Sequence, residues 1–163
     1  MRVILGIDPG NYGGFAIIKN DAECSVFAMP KQWEQEQMLN YFKEANTIFP
    51  SLKVIIERPI IKPHFISKLC PRCKAPIKTS VLQQGIMTSL INYGILIGVI
   101  KTLGIAFEEV ESAKWKKYFK LNKDKKTSVK LAKELFPSLI SDIGSNDGIA
   151  EALLIAEYGR RNL

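Results

Sequence analysis

Cysteine and histidine are scarce in this chain: its 163 residues hold three cysteines and one histidine, and Cys24 stands far from the other two cysteines. Three thiols, unevenly placed, exclude a disulfide-stapled scaffold and fit a reducing compartment, so a cytoplasmic protein is expected. A secretory leader is not expected either, because only five apolar or glycine residues separate Arg2 from Asp8, too few for the hydrophobic core of a signal. Repeats and low-complexity tracts are absent. At 47% hydrophobic and 24% charged, the composition excludes disordered and fibrous classes, and the length suits one domain over 1–163. Acids are the minority charge, 16 against 23 Lys and Arg, which leaves a formal charge of +7. Such an excess suits a polyanionic partner, either nucleic acid or an anionic membrane surface.

The charge is also unevenly placed. Residues 53–80 carry seven basic residues and one acid, and residues 114–133 carry nine and one. Either window alone reads equally well as a solvated face. Two of them flanking a set of acids point to phosphate binding. The nucleic-acid-binding candidates are Arg58, Lys62, Lys68, Arg72, Lys74 and Lys78 from the first window, and Lys116, Lys117, Lys123, Lys125 and Lys126 from the second.

Hydrophobic patterning predicts three short strands over 2–7, 14–18 and 25–29, then a helix over 32–49 and a strand over 52–56. A Pro- and Lys-rich loop is expected over 59–80, a long helix over 81–103, a fifth strand over 105–110, and helices over 123–136 and 145–160. This is a mixed α/β order. The stretch 79–100 has no charge and contains Gly94 and Gly98 one helical turn apart, so a membrane span has to be weighed. Ser80, Gln84, Thr88 and Asn92 recur every fourth residue and form a polar stripe that lipid would penalise. A buried helix or a dimer face is the better reading, with no membrane partner.

Asp8 and Glu57 share a context: each follows an apolar strand and is followed at once, or one residue later, by proline. Acids at the carboxyl ends of buried strands sit at the rim of the sheet, where α/β proteins bind ligands. Asp147 and Glu151 are four residues apart, on one face of the last predicted helix. If all four meet, they form an all-oxygen set suited to Mg²⁺ or Mn²⁺. Two such ions clamp a phosphodiester for in-line hydrolysis.

Several segments resemble the RuvC-like Holliday-junction resolvases. These are Gly6-Ile7-Asp8-Pro9-Gly10, then Ile55-Ile56-Glu57-Arg58, then the run from Asp147-Gly148-Ile149 through Glu151 to Ala156. The stretch from Trp115-Lys116-Lys117 through Asp124-Lys125-Lys126-Thr127-Ser128 to Leu135-Phe136-Pro137 is most similar to the phage-borne branch, lactococcal phages in particular. The first motif alone also occurs in sugar kinases and chaperone ATPases; the ordered set covers nearly the whole chain. The resemblance implies a ribonuclease H-like fold with a mixed five-stranded sheet flanked by helices. It also implies a homodimer, and cleavage of branched DNA with two Mg²⁺ per subunit, for which Mn²⁺ can substitute. It assigns the catalytic, metal-binding carboxylates to Asp8, Glu57, Asp147 and Glu151. It assigns the family's essential lysine to Lys125 or Lys126.

Two features depart from the family pattern. The two helix acids of the bacterial enzymes are three residues apart, whereas Gly148 fills that slot here. The 59–80 segment carries Cys70-Pro71-Arg72-Cys73, half of a zinc ribbon, with His64 as a candidate third ligand and a second subunit as a source of the fourth. The alternative is two free thiols on a DNA-contacting loop. Rival functions are a non-catalytic branched-DNA-binding protein and an RNA-cleaving ribonuclease H-like nuclease. A sugar-kinase-type ATPase would need a second domain and a second phosphate loop.

Overall fold

A computed structural model of the chain describes residues 2–20, 23–30, 35–61, 64–70, 72–81, 84–122 and 124–162. Three strands open it: β1 (Val3–Asp8), β2 (Gly14–Ile18) and β3 (Cys24–Ala28). Helix α1 (Gln35–Ile48) and strand β4 (Leu52–Arg58) follow. Next come β5 (His64–Leu69), β6 (Pro76–Val81), α2 (Gln84–Thr102) and β7 (Ala106–Glu111). The chain ends in α3 (Ser112–Tyr118), α4 (Lys125–Leu135), a 3₁₀ turn over Pro137–Leu139, α5 (Ile140–Ile143) and α6 (Asp147–Asn162).

The main sheet has five strands in the order β3-β2-β1-β4-β7. The β1–β2 and β2–β3 pairs are antiparallel, while β1–β4 and β4–β7 are parallel. The expected mixed five-stranded sheet flanked by helices is therefore present. Side chains alternate between its faces and feed two cores. Val3, Leu5 and Ile7 of β1 join Phe42 of α1 and Leu96 and Ile100 of α2 on one side. Ile4 joins Trp115 and the apolar run from Ala152 to Ala156 of α6 on the other.

Helix α6 lies very close to the sheet, and two glycines allow it. A Cβ on Gly6 would come within 2.3 Å of the Ala152 carbonyl oxygen, and one on Gly148 within 1.8 Å of the Tyr12 carbonyl oxygen. Any side chain at position 148 would collide with the β1–β2 turn, so an acid in this first turn of α6 can stand at 147 but not at 148.

Segment 59–80 departs from expectation. It is an antiparallel hairpin, β5–β6, paired from His64↔Val81 to Leu69↔Pro76 and separate from the main sheet. Its prolines suggested a loop, but Pro59 lies beyond β4 and Pro76 is the first residue of β6, where no ladder donor is lost. Ile66, Ile77, Thr79 and Val81 supply β-branched residues to the two strands. Helix α3 is a second difference: it is seven residues long, too short to show a period, and it buries Trp115.

By length and composition alone, Gly85–Thr102 of α2 could cross a membrane. In this fold one edge of α2 joins the core through Leu96 and Ile100, while Met87 and Ile91 are exposed. A Cβ on Gly94 or Gly98 would meet nothing within 4 Å, so these glycines do not serve packing against the sheet.

Candidate active site

The four acids come from three elements. β1 and β4 run parallel with Ile7 beside Ile56, so Asp8 and Glu57, one step further along each strand, lie side by side at the carboxyl edge of the sheet. α6 begins beside them. The Asn146 side chain accepts from the backbone amides of Gly148 (2.9 Å) and Ile149 (3.2 Å), fixing the first turn that carries Asp147. One turn later Glu151 is buried, only 6% exposed. Asp8, Glu57, Ser89 and Lys125 border a cavity of about 480 Å³, and Asp8, Asp147, Glu151 and Lys125 border a second of about 290 Å³. The two cavities adjoin, sharing Asp8, Gly10, Ser89 and Lys125, and between them they are bordered by all four acids.

Each acid has a partner in the chain. Asp8 Oδ1 accepts from the Gly10 amide at 2.9 Å, and Glu57 Oε2 accepts from the Trp115 indole Nε1 at 2.7 Å. Glu151 Oε1 accepts from Lys116 Nζ at 2.8 Å and from the buried Ser128 hydroxyl at 3.2 Å. Asp147 accepts from Lys125 Nζ. Nothing in the sequence pattern exposed Trp115 and Ser128 as partners of the acids. Both stand in the stretch from Trp115 to Pro137 that carries the resemblance, but without an assigned role there.

The electrostatics match the geometry. Asp8 is raised from its ordinary 3.8 to about 6, chiefly by burial, with Glu151 and Asp147 adding repulsion while the Gly10 amide and Lys125 oppose it. Glu57 is raised from 4.5 to about 7, again chiefly by burial, with repulsion from Asp8 and Glu151 outweighing help from Trp115 and Lys116. The Lys125 ammonium is held above its usual range, first by its hydrogen bond to Asp147. A pocket that pushes two acids toward neutrality is short of positive charge, and oxygen donors suit hard divalent cations. The residues fit such ions in donor chemistry and charge. As they stand, no three His, Cys, Asp or Glu side chains among the described residues are grouped closely enough to hold one.

The two candidate lysines part here. Lys125 lies in the first turn of α4, whose start is set by the Asp124 cap accepting from the Lys126 amide at 3.0 Å, and it reaches into the pocket. Lys126 lies beside Val129 and Lys133 in a neighbouring groove of about 390 Å³ that Lys125 and Asp147 also border. On the other flank Lys116, Lys117 and Lys120 border a groove of about 660 Å³, which shares Ile60 with the pocket.

The remaining candidates lie further out. Arg58 is ion-paired with Glu111. Arg72 and Lys74 are exposed at the hairpin turn, where Lys74 has a positive φ of 61°. Lys62 and Lys123 lie outside the described residues, as do the side chains of Lys68 and Lys78. His64 as a third zinc ligand is corrected by the hairpin. It pairs with Val81 at the far end of β5, roughly 20 Å along the strand from Cys70, beyond the reach of one ion. Cys70 and Cys73 are free thiols, and the amides of Cys73 and Arg72 hold the Cys70 thiol below its usual range.

Sheet order and flanking helices define a ribonuclease H-like α/β fold with an acidic pocket at its carboxyl edge. The particular likeness is to RuvC. The structure of T. thermophilus RuvC in complex with a Holliday junction substrate matches with a TM-score of 0.62 at 14% identity, over 99% of this chain and 97% of that one. A second Thermus thermophilus RuvC structure matches at 0.57 and 14%, over 98% and 96%. No family model and no curated protein sequence matches the chain.

Proposed function

We propose that residues 1–163 form one RuvC-type nuclease domain, a divalent-cation-dependent endonuclease that cuts Holliday junctions and related branched DNA as a homodimer. The observation that carries this reading is the pair of adjoining cavities bordered by four carboxylates, with lysine-lined grooves beside them, on a RuvC-like fold. Asp8, Glu57, Asp147 and Glu151 would hold two Mg²⁺ per subunit, or Mn²⁺, and bound ions of this kind supply an activated water and charge stabilisation at the leaving 3′-oxygen.

The chain's own groups do the rest. Trp115 and Ser128 fix the carboxylates of Glu57 and Glu151 by hydrogen bonds from buried positions. Lys125 offers a cation at the pocket mouth, where it stabilises charge developing on the scissile phosphate. The groove lysines take up the neighbouring phosphates and set the strand's course through the pocket.

Dimerisation draws support from α2, whose outward stripe of Met87, Ile91, Gly94 and Gly98 is apolar and exposed. A second copy related by a two-fold axis would cover this stripe and give the assembly two pockets, matching the symmetry of a four-way junction. The finer assignment to the phage-borne branch rests on the stretch from Trp115 to Pro137 and carries with it a host-cytoplasmic location.

A labelled four-way junction, a linear duplex and an RNA–DNA hybrid, each with and without Mg²⁺, test the proposal. Paired nicks in the junction, only with Mg²⁺, are expected. Binding without cutting would replace the enzyme by a junction-binding protein, and preferential cutting of the hybrid would make it a ribonuclease.

A further inference from the structure

Lys116 and Lys125 each belong to two surfaces at once. Lys116 Nζ lies 2.8 Å from the Glu151 carboxylate and 4.9 Å from the centroid of the Trp115 ring, yet it also borders the groove of Lys117 and Lys120. Lys125 pairs with Asp147 inside the pocket and also borders the groove of Lys126 and Lys133. Two of the four acids are thus neutralised by ammonium groups rooted in the flanking grooves. The other two, Asp8 and Glu57, accept hydrogen bonds from an amide and an indole. Both lysines are long side chains on short or early helical turns, and the Lys125 side chain is 67% exposed, free to turn outward.

We infer that Lys116 and Lys125 are exchangeable counter-ions of the pocket. A divalent cation entering the carboxylates displaces the two ammonium groups into the grooves, where they meet phosphates. Cation and nucleic acid therefore strengthen each other's binding. The inference rests on the nuclease reading and adds to it a second coupling between cation and nucleic acid, carried by the two lysines, beyond the direct contact of ions with the scissile phosphate. Coulomb's law sets the direction: an ammonium and a divalent ion compete for the same carboxylate, and a released ammonium is free to pair with a phosphate. Linkage makes the effect reciprocal, so the factor by which the cation tightens nucleic-acid binding equals the factor by which nucleic acid tightens cation binding.

Mn²⁺ titration of the protein without DNA, followed by electron paramagnetic resonance, gives the first reading. Lys116→Gln and Lys125→Gln should each bind Mn²⁺ about fivefold tighter or more, because a competitor has been removed. Lys130→Gln is the control for net charge. Lys130 is exposed and pairs with Glu134 on the outer face of α4, so its loss should leave Mn²⁺ affinity unchanged. The second reading is fluorescence anisotropy of a labelled four-way junction in Ca²⁺ and in EDTA. The wild-type and K130Q proteins should bind roughly tenfold tighter in Ca²⁺, and in the K116Q/K125Q double variant the ratio should be several-fold smaller. Unchanged or weaker Mn²⁺ affinity in both single variants, or an undiminished ratio in the double variant, overturns the exchange and leaves the nuclease reading standing. A wild-type protein that binds neither Mn²⁺ nor the junction overturns both.

Discussion

At Asp8 and Glu57, burial and neighbouring carboxylates act together against ionisation, and this fixes how stability responds to pH. Their folded values, about 6 and about 7, lie above the ordinary 3.8 and 4.5. Between those limits the folded chain binds more protons than the unfolded one, so stability falls as pH rises from about 4 to about 7. A melting midpoint in EDTA should drop by roughly 5 °C between pH 5 and pH 8. Mg²⁺ should restore it at pH 8 and do little at pH 5; a midpoint flat across this range would contradict the strain assigned to the pair. Glu157 works in the opposite sense. Despite its burial, Arg160 and Arg161 hold it below the usual range, so its contribution is present above the ordinary carboxylate value and is lost on acidification.

The same pocket sets two mutational outcomes. Asp8→Asn removes an anionic oxygen donor and should abolish cleavage while leaving junction binding intact or tighter, as less negative charge faces the phosphates; gel shifts and nicking assays read the two separately. Trp115→Phe keeps the ring but loses the indole donor to Glu57. Its rate should fall roughly 10–100-fold, as when a metal-ligating group is deprived of the hydrogen bond that orients it. Because that bond lowers the Glu57 value, the acidic limb of the pH–rate profile should move to higher pH. A lower rate with an unmoved profile would reduce Trp115 to packing alone. All four acids could be picked out from the sequence because each stands at the end of a strand or on a helix face whose period is plain. Trp115 and Ser128 could not, since what distinguishes them is a hydrogen bond across the fold.

Among the elements, α2 separates two kinds of apolar residue that look alike along the chain. Leu96 is fully buried against the sheet, whereas Ile91 is 59% exposed. A charge at Leu96 therefore tests the core and not the interface: Leu96→Glu should unfold the domain. Ile91→Glu should leave the fold intact and shift the protein from dimer to monomer in sedimentation velocity, with loss of paired incision. A monomeric wild type at micromolar concentration would remove the dimer from the proposal. Strands and long helices were legible to within a few residues, because β1, β4 and α6 carry continuous apolar runs that only burial explains. The β5–β6 hairpin was not, since prolines and lysines mask its β-branched residues. α3 was not, since two turns contain too few residues to show a repeat.

Across the whole molecule, the +7 charge is less informative than its layout. The second basic window, 114–133, folds beside the acidic pocket, with Lys117 and Lys120 bordering one groove and Lys126 and Lys133 another. A strand crossing the pocket would meet positive charge before and after the carboxylates, which offsets their repulsion of its phosphates. Not every basic residue takes part: Arg58 is already paired with Glu111 and Lys53 with Glu108 at 3.1 Å, so these charges are compensated within the fold. The distinction is measurable through salt. Removing one lysine–phosphate pairing should flatten the dependence of log affinity on log salt by about 0.9 for duplex arms and about 0.7 for a single strand. Lys117→Gln with Lys126→Gln, one from each groove, should flatten the slope by roughly 1.4–1.8 and weaken junction binding. Arg58→Gln should move the slope by much less. Equal slopes for all three proteins would mean that the grooves are solvated surface and that phosphates are held elsewhere, with the exposed Arg72 and Lys74 of the hairpin turn the next residues to neutralise.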